Sequence, residues 1–217
     1  MSGADVRMPA NSAACKPRIG VFGGSFDPPH NAHVALAAAG LAQLALDTLY
    51  VVPTGVAWHK ARELSAPQHR LAMTQLAFAD MPKVVIDGRE LQRSGPTFTI
   101  DTLEALQLEN PTAQLYLIMG ADQFAAFRQW HRWQAILDIA IICVAGRAIN
   151  TWTGELFDSF TGQNSRFCRL EMLESSISAT QVRWIAASAL SAASNISSLV
   201  SPLVARYIAT HQLYKAD

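Results

Sequence analysis

Short apolar runs alternate along the chain with longer segments whose apolar residues recur at helical spacing. The runs predict strands over Arg18 to Phe22, Thr48 to Val52, Lys83 to Ile86, Gln114 to Met119 and Ile139 to Ala145. The segments between them predict helices over Ala32 to Leu46, Pro67 to Ala79, Thr99 to Leu108 and Trp133 to Leu137. Because strands covered on both faces read as continuous apolar runs, this order predicts an α/β fold with a doubly wound, Rossmann-like parallel sheet.

The remaining segments predict loops and a small helical part. Residues 1–17 have no apolar periodicity and predict a disordered N-terminal extension, which leaves residues 18–217 as a single domain. A C-terminal helical part is expected over about residues 178–217. Ile149 to Ser165 is rich in Gly, Thr, Asn and Ser, which predicts a loop over the site. Ala187 to Ser201 is nearly all Ala and Ser, which predicts a mobile surface linker between two C-terminal helices.

Composition and charge narrow the class of protein. The 17 basic and 17 acidic residues give a formal net charge of zero, which argues against a nucleic-acid-binding or peripheral membrane protein. No apolar run reaches the roughly 18 to 20 residues needed to cross a bilayer. Three cysteines, Cys15, Cys143 and Cys168, form no CxxC pair and suit a reducing compartment. Since the first residues also lack the apolar centre of a secretion signal, the sequence predicts a cytoplasmic protein.

A glycine-containing turn with two histidines follows the first predicted strand, in the segment GGSFDPPHNAH at residues 23–33. Glycines allow close approach of the backbone to a ligand, and the N–H groups at a helix start favour phosphate. His30 and His33 are three residues apart, so both fall on one face of the first helical turn and can point at the same anion. Asp27 is expected to cap the turn. The segment therefore predicts a phosphate-binding site beyond the carboxyl end of the first strand.

Two segments resemble the motifs of a known family. GGSFDPPHNAH resembles the (H/T)xGH signature of the nucleotidylyltransferase superfamily, in the GGxFDPxHxxH form of bacterial nicotinate-nucleotide adenylyltransferases. ISATQVR at residues 177–183 resembles the ISxTxxR motif of that family, and the resemblance runs from about Arg18 to Tyr214. It implies transfer of the adenylyl group of ATP to nicotinic acid mononucleotide, giving nicotinic acid adenine dinucleotide and pyrophosphate. Ala32 stands where the signature has Gly, and its methyl group would weaken nucleotide binding if the position required a positive φ.

The resemblance also implies roles for individual residues. His33 would contact the α-phosphate in the transition state, His30 would hold the β- and γ-phosphates, and Arg183 would add a charge. The candidate ATP-binding residues are Gly23, Gly24, Ser25, Phe26, His30, His33, Gly120, Asp122, Arg147, Ile177, Ser178, Thr180 and Arg183. The candidate residues for the mononucleotide are His59, Lys60, Thr99, Trp130 and His131. Mg²⁺ is expected to bind mainly through the ATP phosphates, because the chain shows no carboxylate cage and no metal site of its own.

Several alternatives stay open on the residues alone. Ser178 is a good N-cap for a helix starting at Ala179, and such a Ser is often no more than a cap. His59 and Lys60 suit a solvated loop, and Trp130 and Trp133 suit a hydrophobic core. Adenylyl transfer to nicotinamide mononucleotide or phosphopantetheine is a competing reaction, and a non-catalytic nucleotide-binding regulator is a competing class. The sequence is compatible with a monomer or a homo-oligomer.

Overall fold

The computed structural model describes residues 16–55, 63–146, 164–172, 175–188 and 196–215. Within these residues the strands form one six-stranded sheet in the order β3-β2-β1-β4-β5-β6, and all neighbouring strands are parallel. The strands are β1 (Arg18–Gly24), β2 (Thr48–Pro53), β3 (Val84–Ile86), β4 (Gln114–Gly120), β5 (Ala140–Gly146) and β6 (Phe167–Glu171). The predicted parallel α/β fold is confirmed.

Helices connect the strands and extend the chain beyond the sheet. They are α1 (Asn31–Gln43), α2 (Pro67–Ala77), α3 (Thr99–Glu109), α4 (Ala121–Ala125), α5 (Trp133–Ile139), α6 (Ala179–Ser188) and α7 (Pro202–Thr210). Short 3₁₀ turns lie at Arg89–Gln92, Phe127–Gln129 and Asn164–Arg166. The sequence pattern missed β6 and α4. Both are only five residues long, and β6 carries a charged residue in its centre, so neither shows a clear period.

Alternate residues of β1 face the two helical layers. Ile19 and Val21 pack into one hydrophobic cluster with Leu103 of α3, and Phe22 packs into a second cluster with Leu36 of α1. Since both faces of the strand are buried, the run of apolar residues in β1 follows from its central place in the sheet. No helix in the described ranges is long and apolar enough to span a membrane.

A third hydrophobic cluster joins the C-terminal part to α2. Met73 of α2 packs there with Val182 of α6, Val204 of α7, and Ile196 and Val200 between those two helices. The prediction of a mobile linker over residues 187–201 is therefore wrong wherever the segment is described. Residues 187–188 end α6, and Ile196 and Val200 are buried. Their spacing of four residues within a polar segment was the sign of a packed face.

Two predicted segments fall wholly or mostly outside the described residues. They are the N-terminal extension, of which residues 1–15 are not described, and the loop over residues 149–165, of which 149–163 are not described. The division of the chain into an extension and one domain stays a prediction.

We predict that Gly20→Ala lowers the free energy of unfolding by about 1–3 kcal/mol, the usual cost of overpacking a core. A Cβ at Gly20 would lie 2.5 Å from Leu46 Cδ1 and 2.7 Å from Leu49 Cδ1, and both leucines are fully buried. Gly23→Ala in the same strand is the matched control, because a Cβ there meets no atom within 4 Å. Urea unfolding followed by circular dichroism measures both variants. Equal midpoints would contradict this account of the sheet packing.

Candidate active site

The order of the strands puts the change of winding direction between β1 and β4. From β1 the chain passes to β2 and β3 on one side and then crosses to β4 on the other side of β1. Ligands of such sheets bind beyond the carboxyl ends of the strands where the winding direction changes. The pairing of Val21 with Leu117 brings both strand ends to the same edge of the sheet. The turn at residues 23–33 and the segment from Gly120 to Asp122 therefore leave the sheet side by side.

The two histidine rings stack at the start of α1. Their centroids are 3.7 Å apart with an interplanar angle of 24°. The backbone N–H of His30 donates to Nδ1 of His33 over 3.1 Å. Since Nδ1 accepts this bond, a neutral His33 carries its proton on Nε2. His33 is thereby set up as a donor through Nε2.

Burial keeps His30 uncharged at neutral pH. Its side chain is only 7% exposed, and desolvation lowers the pKa of His30 to about 4. Near pH 7 His30 can donate one N–H bond to a phosphate, but it carries no positive charge. Permanent charge at this site must come from guanidinium or ammonium groups.

Phe26 supports His33 from the side of the sheet. Its backbone lies in the left-handed region with a φ of 45°, and its ring is 1% exposed. The ring centroids of Phe26 and His33 are 5.1 Å apart, in an edge-to-face arrangement. A Cβ at Gly24 would lie 3.0 Å from the Phe26 ring, so glycine at this position gives the ring its room. Gly23 faces open space instead.

The second motif meets the first at the Asp27 backbone. Arg183 donates from Nη1 to the carbonyl oxygen of Asp27 over 2.7 Å and from Nη2 to Oγ1 of Thr180 over 2.9 Å. Helix α6 begins at Ala179, and Oγ of Ser178 accepts the N–H of Gln181 over 3.2 Å. The predicted cap is therefore present. A guanidinium 156 positions later in the chain lies against the turn that holds both histidines.

Asp27 is more than a local cap of its turn. Its carboxylate is 1% exposed and accepts the Ser65 backbone N–H at Oδ2 over 3.1 Å and the Tyr214 hydroxyl at Oδ1 over 2.7 Å. These partners are 38 and 187 positions away in sequence. The residue ties the turn to distant parts of the chain.

Arg70 is a buried cation that the sequence pattern did not reveal. It is 2% exposed and donates to the carbonyl oxygens of Ser25 (3.0 Å), Thr54 (2.7 Å) and Ser65 (3.0 Å). Burial lowers the pKa of Arg70, while the Asp27 carboxylate opposes that shift. An arginine in a helix usually lies on the surface. The available signal was its spacing of three residues from the buried Met73.

At the start of α1, two of the backbone N–H groups expected to face a phosphate are engaged within the protein. The N–H of Asn31 donates to the carbonyl oxygen of Leu199, and that of His33 donates to the carbonyl oxygen of His30, both over 2.8 Å. The expectation that the first helical N–H groups are available for phosphate is therefore wrong for these two. Ala32 adopts the right-handed conformation of α1, so its position does not require a positive φ.

Gly120 and Asp122 lie at the end of β4, as predicted. A Cβ at Gly120 would lie 2.7 Å from Oδ1 of Asp122, so the carboxylate folds back over Gly120. Asp122 is exposed and also accepts from Nε2 of Gln123 over 3.1 Å. Ile177 of the second motif is partly buried and packs against the third hydrophobic cluster.

The segments expected to hold the mononucleotide approach each other through two rings. The centroids of Phe98 and His131 are 4.3 Å apart, and Phe98 directly precedes Thr99, the first residue of α3. His131 is exposed, whereas Trp130 and Trp133 are half-buried and pack against the first core cluster. The two tryptophans therefore contribute at least in part to the core. The sequence had not singled out Phe98.

A buried acidic residue orders the loop before Phe98. Glu90 is 6% exposed and accepts the hydroxyl of Thr102 at Oε1 (2.7 Å) and that of Thr54 at Oε2 (3.1 Å). These bonds tie the loop to the carboxyl end of β2 and to α3. Glu90 was also absent from the sequence-based site.

Three candidate residues, His59, Lys60 and Arg147, lie outside the described residues. Among the residues that the structure does describe, no group of three or more His, Cys, Asp or Glu could hold a metal ion.

Comparison with known proteins bears on the same region. The model of the cytidylyltransferase-like family matches residues 21–185, from the first strand to the second motif. The chain belongs to this family. A protein of Albidiferax ferrireducens named probable nicotinate-nucleotide adenylyltransferase is 56% identical over 198 residues, covering 91% of this chain and 98% of that protein. A protein of the same name from Methylibium petroleiphilum is 37% identical, with coverage of 94% and 95%.

The fold is also found in solved structures. The Plasmodium falciparum nicotinic acid mononucleotide adenylyltransferase complexed with NaAD superposes with a TM-score of 0.74 at 20% sequence identity. The aligned region covers 91% of this chain and 97% of that one. The same protein complexed with APC gives a TM-score of 0.70. At this level of identity the likeness establishes the fold.

We predict that His30 makes stability depend on pH. In the unfolded chain its pKa returns to about 6.5, so as the pH falls from 7 towards 4 the unfolded state binds a proton that the native state does not. The free energy of unfolding should therefore decrease over this interval, and His30→Gln should flatten the slope. Urea unfolding at pH 7.5, 6 and 5 measures it, with the exposed His211→Gln as control. A slope unchanged by His30→Gln would show that His30 is not held neutral.

Proposed function

We propose that this enzyme transfers the adenylyl group of ATP to nicotinic acid mononucleotide, forming nicotinic acid adenine dinucleotide and pyrophosphate in NAD biosynthesis. The observation that carries the proposal is the contact of Arg183 with the Asp27 carbonyl, which joins the two motifs at one crevice. The names of the close relatives support the same reaction.

The reaction needs alignment and charge neutralisation more than covalent help. A phosphate oxygen of the mononucleotide attacks the α-phosphorus of ATP in line. The new P–O bond forms as the bond to the bridging oxygen of pyrophosphate breaks. Donors placed where charge grows on the equatorial oxygens accelerate such a step. Stacked imidazoles and a nearby guanidinium are donors of the required kind.

Each side chain of the pair has a distinct part in this proposal. His33 offers Nε2–H to an α-phosphate oxygen, since its Nδ1 is occupied by the His30 backbone N–H. The neutral His30 adds a second N–H donor for the β- and γ-phosphates. Arg183 supplies a charge that does not titrate in the working range and forms charge-assisted bonds to phosphate.

The same proposal covers the residues that hold adenosine and the phosphates. On the resemblance, Gly120 and Asp122 contact the ribose, while Ser178 and Thr180 lie at the helix start facing the triphosphate. His59, Lys60 and Arg147 stay predictions for phosphate or nucleotide contacts.

Mg²⁺ fits this site mainly as an ion bound to ATP. Two carboxylates near the crevice are engaged within the protein: Asp27 by Ser65 and Tyr214, and Glu90 by Thr54 and Thr102. The phosphate oxygens and water would therefore hold the ion, and Asp122, just after β4, is an exposed carboxylate that could join them. When bound, the ion supplies further neutralisation of phosphate charge.

A cytoplasmic location and the oligomeric state stay predictions from the sequence.

We predict that His33→Ala lowers kcat by roughly 10²-fold or more and changes the KM for ATP much less, because a donor to developing charge acts in the transition state. His33→Gln should retain more activity than His33→Asn, since the longer amide reaches the position of Nε2 and the shorter one that of Nδ1. Steady-state kinetics on protein shown to be folded by circular dichroism tests this. Turnover of His33→Ala within a few-fold of the wild type would remove His33 from the mechanism.

We predict a preference for nicotinic acid mononucleotide over nicotinamide mononucleotide of at least about 10²-fold in kcat/KM. Backbone N–H groups near Thr99 and His131 would bind the carboxylate, and an amide would present an NH₂ group to those donors. The N–H of Trp130 donates to the carbonyl oxygen of Phe127 over 3.0 Å, so Trp130 would offer its ring to the base. No Asp or Glu occurs between Gln123 and Gln134 to suit the amide.

The assay uses ATP, Mg²⁺ and each acceptor in turn, with dinucleotide and pyrophosphate as readouts. Phosphopantetheine serves as a third acceptor and should give no product. Equal efficiencies for acid and amide would contradict the pocket assignment and leave the adenylyl transfer intact. Absence of product with every acceptor would favour a non-catalytic nucleotide-binding regulator.

A further inference from the structure

The segment after α7 returns to the phosphate-binding turn. The hydroxyl of Tyr214 donates to Oδ1 of Asp27 over 2.7 Å, across 187 positions of sequence. The backbone of Tyr214 lies in the left-handed region with a φ of 66°. Residues other than glycine are uncommon there and persist where surrounding contacts hold them. In this backbone conformation the side chain of Tyr214 reaches Asp27.

The Asp27 carboxylate depends on its donors because it is almost fully buried. Ser65 binds one oxygen and Tyr214 the other, while the backbone carbonyl of the same residue binds Arg183. A buried charged acceptor that loses a donor is left with an uncompensated desolvation penalty. The turn would then move to regain a partner, and it would carry His30 with it.

The C-terminal part also holds the turn on the far side of His30. The carbonyl oxygens of Leu199 and Ser198 accept from the backbone N–H and from Nδ2 of Asn31, over 2.8 and 3.1 Å. Contacts at Asp27 and Asn31 therefore bracket His30 within the turn. The placement of the imidazoles relative to Arg183 is set by residues near the end of the chain.

Tyr214 is suited to hold a group in place and not to transfer a proton. Burial, together with the charge of Asp27, raises the pKa of Tyr214, so its hydroxyl stays protonated and donates. Its hydroxyl also lies 3.9 Å from Sδ of Met73 of α2 and interacts with the Ser65 side chain. These contacts join Tyr214 to Asp27, Ser65 and Met73, which surround the turn.

We propose that Tyr214 is a positioning residue for adenylyl transfer: its hydroxyl holds Asp27, and through Asp27 the turn that presents His30 and His33 to the nucleotide. The proposal rests on the proposed function. Misalignment of a donor lowers transition-state stabilisation more than ground-state binding, so the effect falls on kcat.

Two matched substitutions test the proposal. Tyr214→Phe removes the hydroxyl, keeps the ring, and should lower kcat about tenfold while the KM values change much less. Tyr207→Phe is the control, because Tyr207 belongs to the same C-terminal part but lies outside the proposed site. Its hydroxyl lies 3.0 Å from Nδ1 of His69 in α2. That variant should keep kcat within about twofold of the wild type, as expected for an interaction independent of the site.

A double variant separates positioning from loss of folded protein. If Tyr214 acts through the histidine turn, adding Tyr214→Phe to His33→Ala should lower kcat by a clearly smaller factor than in the wild type, because the share of the effect that runs through His33 is already lost. A loss of folded enzyme would lower kcat by the same factor in both backgrounds. Equal factors would therefore overturn the proposal.

Amide hydrogen exchange gives a readout that needs no activity. Peptides within residues 23–33 should exchange faster in Tyr214→Phe than in Tyr207→Phe or the wild type. The proposal is overturned, whatever the activity, if peptides within residues 23–33 exchange in Tyr214→Phe at the wild-type rate. It is also overturned if Tyr214→Phe leaves the kcat of an active enzyme unchanged. A wild type that forms no dinucleotide contradicts the proposed function, while exchange still decides whether Tyr214 orders the turn.

Discussion

Burial of the Asp27 carboxylate is the constraint on which the arrangement of the site depends. An ionised oxygen removed from water must find donors within the protein, and those donors come from the loop before α2 and from the end of the chain. The carbonyl of the same residue receives Arg183 of α6. The turn at residues 23–33 is therefore held by three segments that are distant in sequence.

The described site separates hydrogen-bond donation from charge. Burial holds His30 neutral, and the bond from its N–H directs the His33 proton to Nε2. Arg183 and the buried Arg70 bring positive charge that pH changes near neutrality do not remove. Positive charge is thus concentrated locally in a chain whose formal net charge is zero.

The C-terminal part contributes to the site as well as to the core. Its hydrophobic cluster fixes α6 and α7 against Met73 of α2. The same packing brings the Leu199 carbonyl to Asn31 and the Tyr214 hydroxyl to Asp27. In the Plasmodium falciparum enzyme the fold is kept at 20% identity, which indicates that apolar patterning constrains the architecture more than residue identity does.

Local signals in the sequence determined most of the sheet, the helices α1, α2, α3 and α5, the Ser178 cap and both motifs, because period and capping act within a few residues. The weak period of β6 and α4 hid these short elements. Tertiary packing decided that Arg70 is buried, that Ile196 and Val200 join the core and that Tyr214 reaches Asp27. It also decided that the N–H of Asn31 serves the protein's own carbonyl. Each of these depends on partners far apart in sequence. Local spacing could indicate a packed face at Arg70, Ile196 and Val200, but it could not identify those partners.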